Sequence, residues 1–97
     1  MQHEIVFAPA AAEDLKRLRA FERAAVRDAI EIHLRHEPQK TSRSRIKRLR
    51  GLRQPQYRLR VGEIRVFYDV APGAVEVLAV IAKSDADRWL KEHGETE

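Results

Sequence analysis

Ninety-seven residues, 43% hydrophobic and 35% charged, suit one small domain over residues 1–97 with a single modest core. Nineteen Lys and Arg against fifteen Asp and Glu give a net charge of +4, which favours an acidic partner, either nucleic acid or an acidic protein. The chain has no cysteine, so disulfides and thiolate metal sites are excluded; with no signal-peptide pattern and no apolar run near the roughly 18 residues of a membrane span, a soluble cytoplasmic protein is expected.

Glu4 to Ala8 is short and rich in β-formers, which predicts a first strand. Pro9 suits the first turn of a helix, and Ala10 to Arg19 continues it with Ala11, Leu15 and Leu18 on one face. A second helix is expected from about Glu22 to His36, where Val26, Ile30 and Leu34 recur every four residues. Pro38 stops it. Two helices joined near Ala20 read as a hairpin packed across a sheet.

Residues 39–55 are polar and basic, with Arg45 to Arg50 as a possible turn of helix. Three strands follow, Gln56–Val61, Ile64–Val70 and Val75–Ala82, the first two joined by the two-residue turn Gly62-Glu63. The last strand is the most apolar and belongs in the middle of the sheet. Ser84 can cap a final helix carrying Trp89 and Leu90, with Trp89 over the sheet edge. Glu92 to Glu97 reads as a frayed tail. The expected fold is α+β: an N-terminal strand, a helical hairpin, a three-stranded antiparallel meander and a short C-terminal helix.

Charge is concentrated in one quarter of the chain. Pro38 to Gly62 holds nine basic residues and no acid. Lys40, Arg43, Arg45, Lys47, Arg48, Arg50 and Arg53 are candidate contacts to nucleic acid or the ribosome, the plainer alternative being a solvated loop. Strand alternation puts Tyr57, Leu59 and Val61 on one face with Ile64, Val66, Tyr68 and Val70. Arg58, Arg60 and Arg65 then meet on the other, where planar guanidinium forks can hold phosphate oxygens. His33 sits near an apolar helical face as a partly buried structural residue, and no two histidines have metal-ligand spacing.

Lys47-Arg48-Leu49-Arg50-Gly51-Leu52, then Tyr57-Arg58-Leu59-Arg60 and Ile64-Arg65-Val66-Phe67-Tyr68, resemble in order the loop and two strands of the RelE/ParE superfamily of type II toxins. The opening Ile5-x-Phe7-x-Pro9-x-Ala11 and the closing Val77 to Lys83 fit the same pattern, so the resemblance covers nearly the whole chain. It implies a toxin silenced by a cognate antitoxin, with operator DNA reached only through that antitoxin. RelE-like members cleave messenger RNA, often on the ribosome; ParE-like members act on DNA gyrase. A catalytically inactive, antitoxin-binding member is a third possibility. One scaffold serves all of them.

The RelE-like branch implies metal-independent endoribonuclease chemistry without a cofactor. A 2′-hydroxyl attacks the adjacent phosphate, and cations stabilise the crowded intermediate. The resemblance assigns that work to Arg58, Arg60, Arg65 and Lys83. It also exposes departures. Arg60 stands where such nucleases can carry a lysine, Ser84 where they have an arginine, and Trp89-Leu90 near a tyrosine. Lys83 is the leading proton-transfer candidate, followed by Tyr57, Tyr68 and the turn residue Glu63.

Overall fold

The computed structural model describes residues 2–97 and orders them as β1 (Glu4–Phe7), α1 (Pro9–Arg17), α2 (Ala20–His33), β2 (Ile46–Arg48), β3 (Leu52–Gln54), β4 (Tyr57–Val61), β5 (Ile64–Ala71), β6 (Ala74–Ala82), α3 (Lys83–His93) and β7 (Glu95–Thr96). Five strands form the main sheet in the order β1-β6-β5-β4-β2; β3 and β7 form a separate pair. β1 runs parallel to β6, as a strand connected through a helical crossover can, and the other main-sheet pairs are antiparallel. The α+β expectation holds, with the meander flanked by one strand on each side.

The helical hairpin covers one face of this sheet. Ala11 and Leu15 of α1, with Val26, Ala29 and Ile30 of α2, pack against Leu59, Val66, Tyr68, Val75, Val77 and Val80. Between the helices, Leu18 and Arg19 are extended. Arg23 secures that break by donating from Nη2 to the Leu18 carbonyl (2.9 Å) and from Nε to that of Leu15 (3.3 Å), which also accepts the Leu18 amide at 3.2 Å. α2 ends at His33 rather than His36. Fully buried Leu34 turns into the core, and the backbones of His3 and Arg35 join at 2.6 Å, drawing the chain toward β1.

β6 is apolar on both faces, and a bulge makes that possible. Phe67 pairs with Ala79 while Tyr68 pairs with Val77, so Leu78 is the extra residue. Val75, Val77 and Val80 thereby point to the hairpin; Ala79 packs on the opposite face with Phe67 and Ala86.

Four further expectations change. Arg45 to Arg50 contains a strand, not a helical turn: Ile46 is buried and pairs with Leu59, making β2 the sheet edge. Its Lys47 and Arg48 are the kind of charge that guards an open edge against further pairing. Ser84 is no cap; Ala82 occupies that position, and the first free amide of α3, that of Lys83, donates to the Glu63 carbonyl at 2.7 Å. Trp89 stacks on Phe67 of the central strand, ring centroids 4.9 Å apart, so it covers a face and not an edge. The tail is ordered through β7, which pairs with β3 and carries a 3.2 Å ion pair from Glu95 to Arg53.

His33 gives a pH prediction. Partial burial first, and Arg45 second, hold its pKa below the ordinary 6.5. In the window between the two values the unfolded chain binds the extra proton, so this residue's contribution to stability falls as pH drops through 6.5. The difference in unfolding free energy between the wild type and His33→Gln, followed by urea titration, should shift toward the variant as pH falls from 7 to below about 6. A pH-independent difference would refute it.

Candidate functional site

The face opposite the hairpin carries the arginines. Arg60 pairs across the strands with Arg65, Arg58 with Phe67, and Lys47 with Arg58, so all four basic side chains rise from one side of the sheet. α3 packs on this side through Ala86, Trp89 and Leu90 against Phe67, Ala79, Ile81 and Leu49. Between the helix and the arginines lies a cleft of about 290 Å3. Its polar wall is Lys47, Arg58, Arg65 and Lys83, its floor Phe67, Leu49 and Leu90. Arg60 is exposed next to it and does not line it.

The cations here are not neutralised by the protein. Among the described residues the ion pairs lie elsewhere, at the helices, at Lys40–Glu37 and at Arg53–Glu95. Arg58 is partly buried, and its Nε is a buried donor with no hydrogen-bond partner. Burial first, then Arg65, then Arg60, pushes its pKa down. A desolvated cation and an unused donor both cost stability, and an anion in the cleft would relieve both. The N-terminus of α3, where Lys83 begins the helix, adds its positive end to the same field.

Arg65 is anchored differently. It is 8% exposed, and its Nη1 donates to the carbonyls of Gly62 (2.8 Å) and Ile64 (3.1 Å). It therefore braces the hairpin while presenting charge to the cleft. Gly62 has φ +57, and among the described residues no residue other than glycine has positive φ, the pattern of a type II′ turn with glycine first. That turn also supplies the Glu63 carbonyl holding Lys83, so hairpin and helix fix the cleft's opposite walls together.

The basic stretch 40–53 divides instead of forming one surface. Lys47 enters the cleft; Arg48 turns to the hairpin side, with its guanidinium 5.2 Å from the Tyr57 ring centroid. Arg45 donates to the Arg60 carbonyl at 3.2 Å and borders a different hollow with Lys40 and His36. Arg53 is engaged with Glu95, and Arg43 and Arg50 are exposed.

Three proton-transfer candidates are displaced by the geometry. Tyr68 is fully buried under the hairpin, its hydroxyl donates to the Pro38 carbonyl at 2.6 Å, and burial pushes its pKa up. Tyr57 stacks on it at 5.4 Å, on the same far side of the sheet. Glu63 is exposed at the turn and offers α3 its carbonyl. Lys83 does line the cleft, and so does Asp87, which sequence reasoning passed over. Its spacing of four from Lys83 on a helix was the available signal.

The family model described as ParE toxin of type II toxin-antitoxin system, parDE, matches residues 5–86. No curated protein matches. Among solved structures, the toxin-antitoxin complex RelBE2 of Mycobacterium tuberculosis aligns at 26% identity and TM-score 0.72, covering 88% of this chain and 95% of that one. The archaeal RelE-RelB complex of Pyrococcus horikoshii aligns at 21% identity and TM-score 0.69, over 86% and 97%. The YoeB dimer of Staphylococcus aureus follows at 17% and 0.60, over 84% and 97%. The latter two speak to the fold alone.

Proposed function

We propose, for a chain that belongs to the ParE toxin family of type II toxin-antitoxin systems, that its target is RNA: it inhibits translation by cutting messenger RNA on the ribosome, without a metal. The observation that carries this is Arg58, a partly buried guanidinium with an unused donor, set among Arg65, Lys83 and Lys47 with no carboxylate paired to any of them. Such a cleft suits a phosphodiester, and its donors stabilise the charge that develops when a 2′-hydroxyl attacks phosphorus. Lys83 can protonate the departing 5′-oxygen. Arg60, Arg45 and the exposed Arg43 and Arg50 lie outside the cleft, where they suit the flanking RNA or the ribosome.

A cognate antitoxin completes the system. The RelBE2 structure is a toxin-antitoxin complex, and an acidic segment of such a partner would occupy the same cations. Operator DNA is then reached through the antitoxin.

A second reading, inhibition of DNA gyrase, is favoured by one observation: Ser84 stands where the nuclease pattern has arginine, and Trp89-Leu90 lie near the position of its tyrosine. The experiment that divides them is induction of this chain alone in a bacterial host, with messenger 5′ ends mapped over the following minutes. New ends at fixed positions within codons are expected. Growth arrest with intact transcripts and a DNA-damage response would transfer the assignment to gyrase.

A further inference from the structure

On the reading that this cleft cleaves RNA, we infer that Asp87 is the proton acceptor for the attacking 2′-hydroxyl. Asp87 is the one carboxylate among the residues lining the cleft. It lies four residues after Lys83 on α3, which puts both on one helical face. Ala86, 8% exposed and packed with Phe67, fixes the rotation of the helix that presents them.

Its oxygens are uncommitted. The ion pairs of α3 run from Arg88 to Asp85 at 3.1 Å and to Glu92 at 4.0 Å, away from the cleft. Asp87 pairs with none of the described cations, although Lys83 and Lys91 flank it at four residues each way. An acid placed in a phosphate-binding cleft opposes binding by like-charge repulsion, so a carboxylate there is a cost unless the chemistry uses it. The other groups on the wall are guanidinium and ammonium ions, which carry no free lone pair at neutral pH. The Asp87 carboxyl is the one side chain on the wall whose oxygens can act as acceptors.

The step balances. The Asp87 carboxylate takes the proton of the 2′-hydroxyl as the O2′–P bond forms, and Arg58 and Arg65 hold the non-bridging oxygens. The P–O5′ bond breaks, and the Lys83 ammonium gives a proton to the 5′-oxygen. The products are a 2′,3′-cyclic phosphate and a 5′-hydroxyl. Water then returns the proton from Asp87 to Lys83.

Asp87→Asn separates this role from a purely electrostatic one. Two probes are needed: messenger RNA on a programmed ribosome for cleavage, and the same message with a single 2′-deoxy position, which cannot react, for binding. The variant should bind the uncuttable message several-fold tighter, because a repelling charge is gone. It should cut the reactive one about 100-fold or more slowly in single turnovers, as loss of a general base typically does. Tighter binding with unchanged or faster cutting would overturn the assignment and leave Asp87 as a modulator of the field. Asp87→Ala, checked by circular dichroism, guards against an effect peculiar to asparagine and should behave alike. A wild-type chain that cuts neither free nor ribosome-bound message would instead overturn the RNA reading itself.

Discussion

Arg58→Ala is expected to abolish toxicity while leaving the protein at least as stable as before. The two effects have one cause. Arg58 holds a partly desolvated charge beside Arg65 and Arg60, with a buried Nε that bonds to nothing in the protein. In the free protein such a group is a liability, since a charge withdrawn from water and left unpaired is costly. On the proposed function a bound phosphodiester would give that donor its partner. Loss of one preorganised donor at a site of developing charge costs about 100- to 1,000-fold in rate. Removing an unpaired, partly buried cation should raise stability by about 1 kcal/mol, a melting temperature higher by about 4–8 °C for a chain of this size. Induction plates, transcript 5′-end mapping and a thermal melt read both halves. Retained cleavage would remove Arg58 from the site, and a lower melting temperature would mean that the guanidinium stabilises the free fold after all. Arg65→Ala is a poorer test. Arg65 also donates to the Gly62 and Ile64 carbonyls, so its loss disturbs the hairpin along with the charge.

The parts of this molecule that repeat a local period were legible in the sequence. Alternation in Tyr57-Arg58-Leu59-Arg60 and Ile64-Arg65-Val66-Phe67 placed the arginines on one face, and four-residue spacing in α2 placed Val26 and Ile30 on another. What was not legible depends on partners distant in the chain. Ile46-Lys47-Arg48 carries one apolar residue and becomes a strand only because β4 offers an edge to it. Glu95 and Thr96 have no intrinsic reason to be a strand and are ordered by Leu52 and Gln54, some forty residues earlier. The bulge at Leu78 lets Val80 rejoin the hairpin side, a shift that strict alternation hides. Charge counting had the same limit. Nine basic residues between Pro38 and Gly62 announced an anion partner, but strand geometry alone separates Lys47, which faces the cleft, from Arg48, which faces Tyr57.

Phe67→Ala should be the most destabilising change on the cleft side, and its damage should begin at α3. Phe67 is 1% exposed and lies at the centre of the sheet, with Trp89 stacked on it at an interplanar angle of 10°. The cluster around it is small: only Ala79 and Ala86 are buried with it, and Leu49, Ile81, Trp89 and Leu90 cover the margin. Two alanines cannot move in to fill the space, so the cavity should persist. A buried Phe→Ala change then costs about 3–5 kcal/mol, against a total of about 5–15 kcal/mol for a folded protein. The hairpin-side core has its own, larger set of contacts through Leu59, Val66, Tyr68 and the helices. α3 has little else: the Lys83 amide on Glu63, the β3–β7 pair and Arg53–Glu95. Hydrogen exchange followed by mass spectrometry should therefore show the amides of residues 84–93 losing protection before those of β4 and β5. Toxicity should fall in parallel, because Lys83 and Asp87 ride on that helix. Phe67→Leu keeps most of the volume and should restore both, at a residual cost of about 1 kcal/mol. Uniform loss of protection across the sheet and the helix would show that the two faces form one cooperative unit, and that α3 is no more separable than the hairpin opposite it.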